Sequence, residues 1–187
     1  EKQDYPFAKL ELIVIDSASS DSTLEKLSQW ELSRSSDFEV KKIKMETHRG
    51  KSAAINRILS EKINSEVMVI TDADALLSTG SLKRIARWFS NPSIGAVCGS
   101  QEILGEKKPS HSLNEISYRS FYHDLRIGES NLSSTPIFEG SLAAFRTSMI
   151  SGLQIDSTYN ADDSQLSMLI NQQGGRSIMD RELKFFE

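Results

Sequence analysis

The chain has 187 residues, 38% hydrophobic and 26% charged, which suits one domain with a sizeable core. Its 22 basic and 26 acidic residues give a net charge of −4, without the basic stripe that tracks a nucleic-acid backbone. A single cysteine, Cys98, excludes an internal disulfide framework, and no apolar run approaches the roughly 20 residues of a membrane span.

Residues 1–9 are a polar lead-in broken by Pro6. Leu10 to Ile15 (LELIVI) predicts a strand ending at Asp16, and residues 17–23 form a loop rich in helix-capping side chains. A helix is expected over Thr23–Ser33, with Leu24, Leu27 and Trp30 inward. Phe38 to Met45 alternates apolar and charged residues, as a half-exposed strand does. The stretch Glu46–Ser52 then leads into a helical pattern at Ala53, Ala54, Ile55, Ile58 and Leu59. Gly50 permits a tight turn into that helix. Arg49, Lys51 and the free N–H groups of the helix start make a local positive site suited to phosphate, although a solvated loop with ordinary surface cations has the same composition. The spacing is not that of a P-loop.

Val67 to Leu77 (VMVITDADALL) is a buried strand running into Asp72 and Asp74. In an extended chain the two carboxylates project to one side, at the carboxyl edge of a sheet, where open α/β sheets bind ligands. Two such close carboxylates need a counter-charge, and a hard divalent cation supplies one. A helix cap with a first-turn acid is the alternative. A helix follows from Ser81 to about Ser90, stopped by Asn91-Pro92, and Ile94–Gly99 is the next strand, with Cys98 a buried inert thiol. This alternation argues for a mostly parallel sheet flanked by helices. Leu113, Ile116, Phe121 and Leu125 mark a helix over about 112–129, Leu142–Arg146 is a strand, and Asn160–Ser164 opens a helix to Gln173. Arg176 to Met179 is a last short strand.

Acids thus recur at strand ends and helix starts: Asp16, Asp72 with Asp74, and Asp162 with Asp163. Five segments, IVIDSASSDST, HRGKSAAIN, ITDADALL, GSLAAFR and NADDSQLSMLINQQGGR, resemble in order and spacing the motifs of the family 2 glycosyltransferases. The resemblance implies an α/β, GT-A-like three-layer sandwich with a mostly parallel central sheet, residues 1–187 forming one catalytic domain. It implies a metal-dependent, inverting transfer of a sugar from a nucleotide-diphosphate donor to an acceptor hydroxyl. In that scheme Asp16 bonds the nucleotide base, and Arg49 and Lys51 lie near the diphosphate. Asp72 contacts the ribose or a metal water, and Asp74 ligates Mn²⁺ or Mg²⁺. Asp163 is the general base with Asp162 beside it, and GSLAAFR lies near the acceptor site. The implied partners are the donor and a carbohydrate, lipid-linked or protein acceptor, with no nucleic acid. The implied location is cytoplasmic, with membrane association through segments outside this stretch.

The departures are specific. The family begins with a βα unit of about 30 residues before the segment at Leu10, so the chain is expected to be a fragment lacking it and any C-terminal membrane helices. Ser17 replaces a second acid after Asp16, and no Q-x-x-R-W motif of the polymer-making branch follows the last helix. The alternatives are a sugar-nucleotide-binding domain without catalysis and, more distantly, a haloacid-dehalogenase-type phosphatase, whose D-x-D also follows a strand.

Overall fold

The computed structural model describes residues 2–34, 38–47, 50–102, 113–138, 140–159 and 161–186. A short 3-10 turn, Phe7–Lys9, precedes β1 (Glu11–Asp16), α1 (Thr23–Ser33) and β2 (Glu39–Lys44). Then come α2 (Gly50–Leu59), β3 (Val67–Thr71), β4 (Leu76–Leu77), α3 (Ser81–Phe89) and β5 (Ile94–Glu102). The second half supplies α4 (Leu113–Leu132), β6 (Leu142–Arg146), α5 (Thr147–Ile150), α6 (Asp162–Gln172) and β7 (Arg176–Phe186). Among the described residues no helix is long and apolar enough to cross a membrane.

The strands form two sheets. β1 and β2 pair in parallel by themselves, and the other five run in the order β3-β6-β5-β7-β4. The larger sheet is mixed: β5 and β7 are parallel, whereas β6 is antiparallel to both β3 and β5. The path of the chain explains this reversal. α4 descends along β7 until Ser130 and Thr135 bond the backbone of Met179 and Ser177 near the start of that strand. Pro136 and Phe138 then lie beside α6, with Ser167 Oγ donating to Pro136 O and Phe138 N donating to Ser164 Oγ, and Gly140-Ser141 stands at the entrance to β6. A chain returned to the upper edge can enter the sheet only downwards.

Side-chain alternation on β6 feeds two cores. Ala143 and Phe145 pack with Ile55 and Leu59 of α2, Ile150 of α5, and Leu166 and Ile170 of α6. Leu142 and Ala144 face the other way, against Ile85 and Phe89 of α3. A sheet between helical layers is the expected α/β sandwich. Among the described residues neither core takes one from β1, β2 or α1, and Leu12–Ile15 are only half-buried. That small layer is tied to the body by polar contacts: Lys41 to Glu61, Asp4 to Lys83, and Gln3 to Ser78 and Leu82.

β7 runs to Phe186, well past the predicted end at Met179. Its register jumps from Cys98↔Met179 to Ser100↔Lys184, so Asp180–Leu183 bulge before pairing resumes. Asp180 is buried in the bulge, where its carboxylate accepts from Arg84 and from the Trp88 indole N–H at 2.6 Å. Phe121 and Leu125 lie on the exposed side of α4, while Ile127 packs inward.

Candidate functional site

Four segments meet at the upper edge of the larger sheet. The first follows β3. Ala75 N donates to Asp72 O at 3.3 Å, which closes a turn over Asp72–Ala75. Extended-chain alternation therefore stops at Thr71, contrary to the sequence expectation: Asp72 is half-buried and Asp74 sits exposed in the turn.

The second segment is the start of α2. Gly50 opens this helix with φ of +76°, a conformation glycine adopts without strain, and the turn delivers Lys51 to the edge. Lys51 Nζ stands 2.6 Å from Asp72 Oδ1, donates to Gly140 O at 2.9 Å and lies 3.9 Å from Asp162 Oδ2. The third segment, Gly140-Ser141, enters β6. Ser141 Oγ donates to Asp72 Oδ2 at 3.0 Å.

The fourth is the first turn of α6. The cap position is Ala161, so Asp162 and Asp163 are both helical residues and neither is the cap. Each is 8% exposed. Asp163 Oδ2 is buried and has no hydrogen-bond partner among the described residues. Burial pushes the Asp163 carboxyl above its usual pKa and the neighbouring Asp162 charge adds to this, against the Ser164 N–H and the Lys51 charge. A methyl group placed on Gly140 would stand 3.6 Å from that oxygen and 3.9 Å from Lys51 Nζ, so the glycine keeps the approach to Asp163 open.

Asp16 lies elsewhere. It ends β1 on the small sheet, where its carboxylate accepts from Ser19 N at 3.3 Å and its carbonyl accepts from Met45 N at 2.8 Å. Arg49 falls outside the described residues. The two ends of GSLAAFR part company: Gly140 and Ser141 line the site, whereas Arg146 lies at the opposite end of β6, bonding Ile94 O, Phe89 O and Asn91 O at 3.0 Å. It fastens the turn between α3 and β5, at the end of β6 away from Asp72.

Sequence reasoning named Gly140 and Ser141 only as part of the segment expected near the acceptor, and gave Asn56 no role of its own. Asn56 donates to Ile155 O at 2.8 Å and accepts from Ile155 N at 2.9 Å, which pins α2 to the segment leading into α6. The visible signal for Asn56 was its place at the end of HRGKSAAIN, but its partner is 99 residues away.

Asp72 and Asp74 offer hard carboxylate oxygens, and among the described residues no three acidic, histidine or cysteine side chains cluster as a closed metal cage. Such a donor set fits Mg²⁺ or Mn²⁺ that shares its shell with phosphate oxygens and water. A shallow cavity of about 470 Å³ beside α4 and β7, lined by Trp88, Ile127, Arg176 and Arg181, includes none of these acids.

Comparison with known proteins gives the fold and the family. Among solved structures, the mannosyltransferase PcManGT from Pyrobaculum calidifontis, in complex with GDP-Man and Mn²⁺, matches with a TM-score of 0.84 at 34% identity. The match covers 100% of this chain and 50% of that one. TarS 1–349 from S. aureus matches with a TM-score of 0.70 at 16% identity, over 99% of this chain and 53% of that one, which is a likeness of fold. The chain thus spans about half the length of these structures. No curated protein matches it. Residues 2–153 match the family described as Glycosyl transferase family 2, which sets aside the phosphatase alternative. The chain belongs to glycosyl transferase family 2 and has its GT-A-like fold.

Proposed function

We propose that this chain is the catalytic domain of an inverting, metal-dependent glycosyltransferase that moves a hexose from a nucleotide-diphosphate donor to an acceptor hydroxyl. The observation that carries the reading is Asp163: a buried carboxylate with one unpartnered oxygen and a raised proton affinity, 3.6 Å from where a Gly140 side chain would begin. A base that must take a proton from a hydroxyl needs both properties, and such catalysis typically contributes 10²–10⁴-fold.

Asp72 and Asp74 would hold the metal, which when bound neutralises the charge developing on the departing diphosphate. Lys51 adds a second positive charge on that side. Asp163 receives the acceptor proton on the other side, and Asp162 keeps its neighbour's proton affinity high. Proton removal and leaving-group stabilisation from separate groups fit a single displacement, which inverts the anomeric centre, as in inverting glycosidases. Asp16, on the adjoining small sheet, is our candidate for contact with the nucleotide base, and Arg49 for contact with the diphosphate.

The relative at 34% identity carries GDP-Man and Mn²⁺, which makes these the first donor and metal to test. Calorimetric titration with GDP and UDP, with and without Mn²⁺, followed by transfer assays with GDP-mannose, checks the reading. Metal-dependent binding that disappears in Asp74→Ala supports it. A folded chain that binds neither nucleotide would refute it. Binding without turnover for any acceptor class would favour the second reading, a sugar-nucleotide-binding domain, for which the separation of the small sheet from both cores speaks.

A further inference from the structure

Lys51 occupies an unusual position in this site. An ammonium has three donors and no acceptor. Here three oxygens surround it: Asp72 Oδ1 at 2.6 Å, Gly140 O at 2.9 Å and Asp162 Oδ2 at 3.9 Å. Both oxygens of Asp72 are engaged, Oδ1 by Lys51 and Oδ2 by Ser141. The carboxylate best placed by the fold to receive a cation therefore already has one.

We propose that Lys51 is the resident counter-cation of Asp72 in the donor-free site, and that donor loading transfers it from Asp72 to the donor's diphosphate as the divalent cation takes its place. The assignment rests on the proposed function of this site. A divalent ion approaching Asp72 alone meets a positive charge 2.6 Å from the oxygen it needs, so Lys51 opposes metal binding by repulsion and by occupancy. A diphosphate changes the balance because it offers anionic oxygens to both cations. Lys51 can make the move: its side chain is 35% exposed, and a flexible four-carbon stem carries the charge. Lys51 itself stands in the first turn of α2, whose free N–H groups also favour an anion. The buried, unpartnered Asp163 Oδ2 marks the adjoining space as one built for a ligand.

The proposal gives one substitution two opposite effects. In Lys51→Met, Mn²⁺ alone should bind about tenfold tighter than to the parent chain, because Asp72 is freed. GDP binding at saturating Mn²⁺ should weaken about tenfold, because the diphosphate loses its ammonium; coupling of this size is usual between linked ligands. Lys51→Gln, which keeps a donor toward Gly140 but no charge, must shift both affinities the same way and serves if the methionine variant fails to fold. A merely structural lysine would weaken both binding events together. Calorimetry with Mn²⁺ alone, then with GDP, on the parent chain, both Lys51 variants and Asp74→Ala reads all of this. If the parent binds Mn²⁺ with GDP, Asp74→Ala abolishes it, and folded Lys51 variants bind Mn²⁺ alone no tighter than the parent, the Lys51 assignment is overturned and the site reading stands. If the folded parent binds no GDP at all, both fall.

Discussion

Ser141 clasps Asp72 twice, donating from Oγ to Oδ2 at 3.0 Å and accepting from the Asp72 backbone N–H at its own carbonyl at 3.4 Å. The end of β3 and the entrance to β6 are thereby held in one register at the point where the sheet meets the site. Ser141→Ala keeps the backbone contact and removes the one to the carboxylate. Loss of a hydrogen bond to a charged, partly exposed group costs about 1 kcal/mol, or about fivefold in affinity. The expected result is fivefold weaker Mn²⁺–nucleotide binding by calorimetry, with the thermal midpoint little changed.

Asp163→Asn separates stability from activity. The raised pKa means that the unfolded chain solvates the charged carboxylate better than the folded chain does. That destabilisation is complete above the folded pKa and is relieved as the pH falls through it. The isosteric amide removes it, so denaturant melts should show a gain of about 1 kcal/mol at neutral pH that disappears in acid. Transfer should fall by about 10²–10⁴. A loss of stability at pH 7 would contradict the burial argument.

Gly140→Ala tests the approach to Asp163. The added methyl meets Asp163 Oδ2 at 3.6 Å and Lys51 Nζ at 3.9 Å, which are ordinary contacts, so stability should stay within about 0.5 kcal/mol. The methyl nevertheless stands over the unpartnered oxygen. Transfer should drop at least tenfold while Mn²⁺–nucleotide binding persists; unchanged turnover would mean that the acceptor reaches Asp163 from another side.

Asp180 is a structural counterpart to the candidate acids of the site. Burial alone would raise its pKa, but the Arg84 guanidinium, the Trp88 N–H and the Glu182 N–H hold it below the usual range. Its contribution is therefore present above the ordinary carboxylate pKa and is lost as the pH falls through the depressed folded value. Arg84 is 38% exposed, so solvent screens part of the pair. Asp180→Ala should cost about 2 kcal/mol at pH 7 in urea denaturation, and progressively less as the pH falls through the depressed folded value.

Periodicity located several elements well. Helix Thr23–Ser33 and strand Leu142–Arg146 have the bounds that their apolar spacing implies. It failed where tertiary partners override local pattern. Asp180, Arg181 and Glu182 interrupt an apolar run and read as the end of a strand, yet a bulge anchored on Arg84 and Trp88 carries β7 on to Phe186. Phe121 and Leu125 have helical spacing but lie on the outer face, because Ile127 and Ser130 are the residues turned toward β7. The candidate acids were legible from the D-A-D and D-D pairs and their setting. Their grouping was not, since the Lys51–Gly140 bond spans 89 residues and the Ser141–Asp72 bond 69. Local sequence carries no mark of such contacts.

The division of the strands into two sheets sets a hierarchy of opening. The β1–β2–α1 layer adds no side chain to either core and is joined to the body by exposed ion pairs and a few amide contacts. Regions with little buried apolar surface open at a fraction of the global free energy. Amide hydrogens of Leu12–Asp16 and Val40–Lys44 should accordingly exchange with solvent faster than those of Ala96–Cys98 or Ala143–Phe145, as a separate cooperative unit. Asp16 rides on that unit, so the carboxylate proposed for the nucleotide base opens with the small sheet, independently of Asp162 and Asp163 on α6.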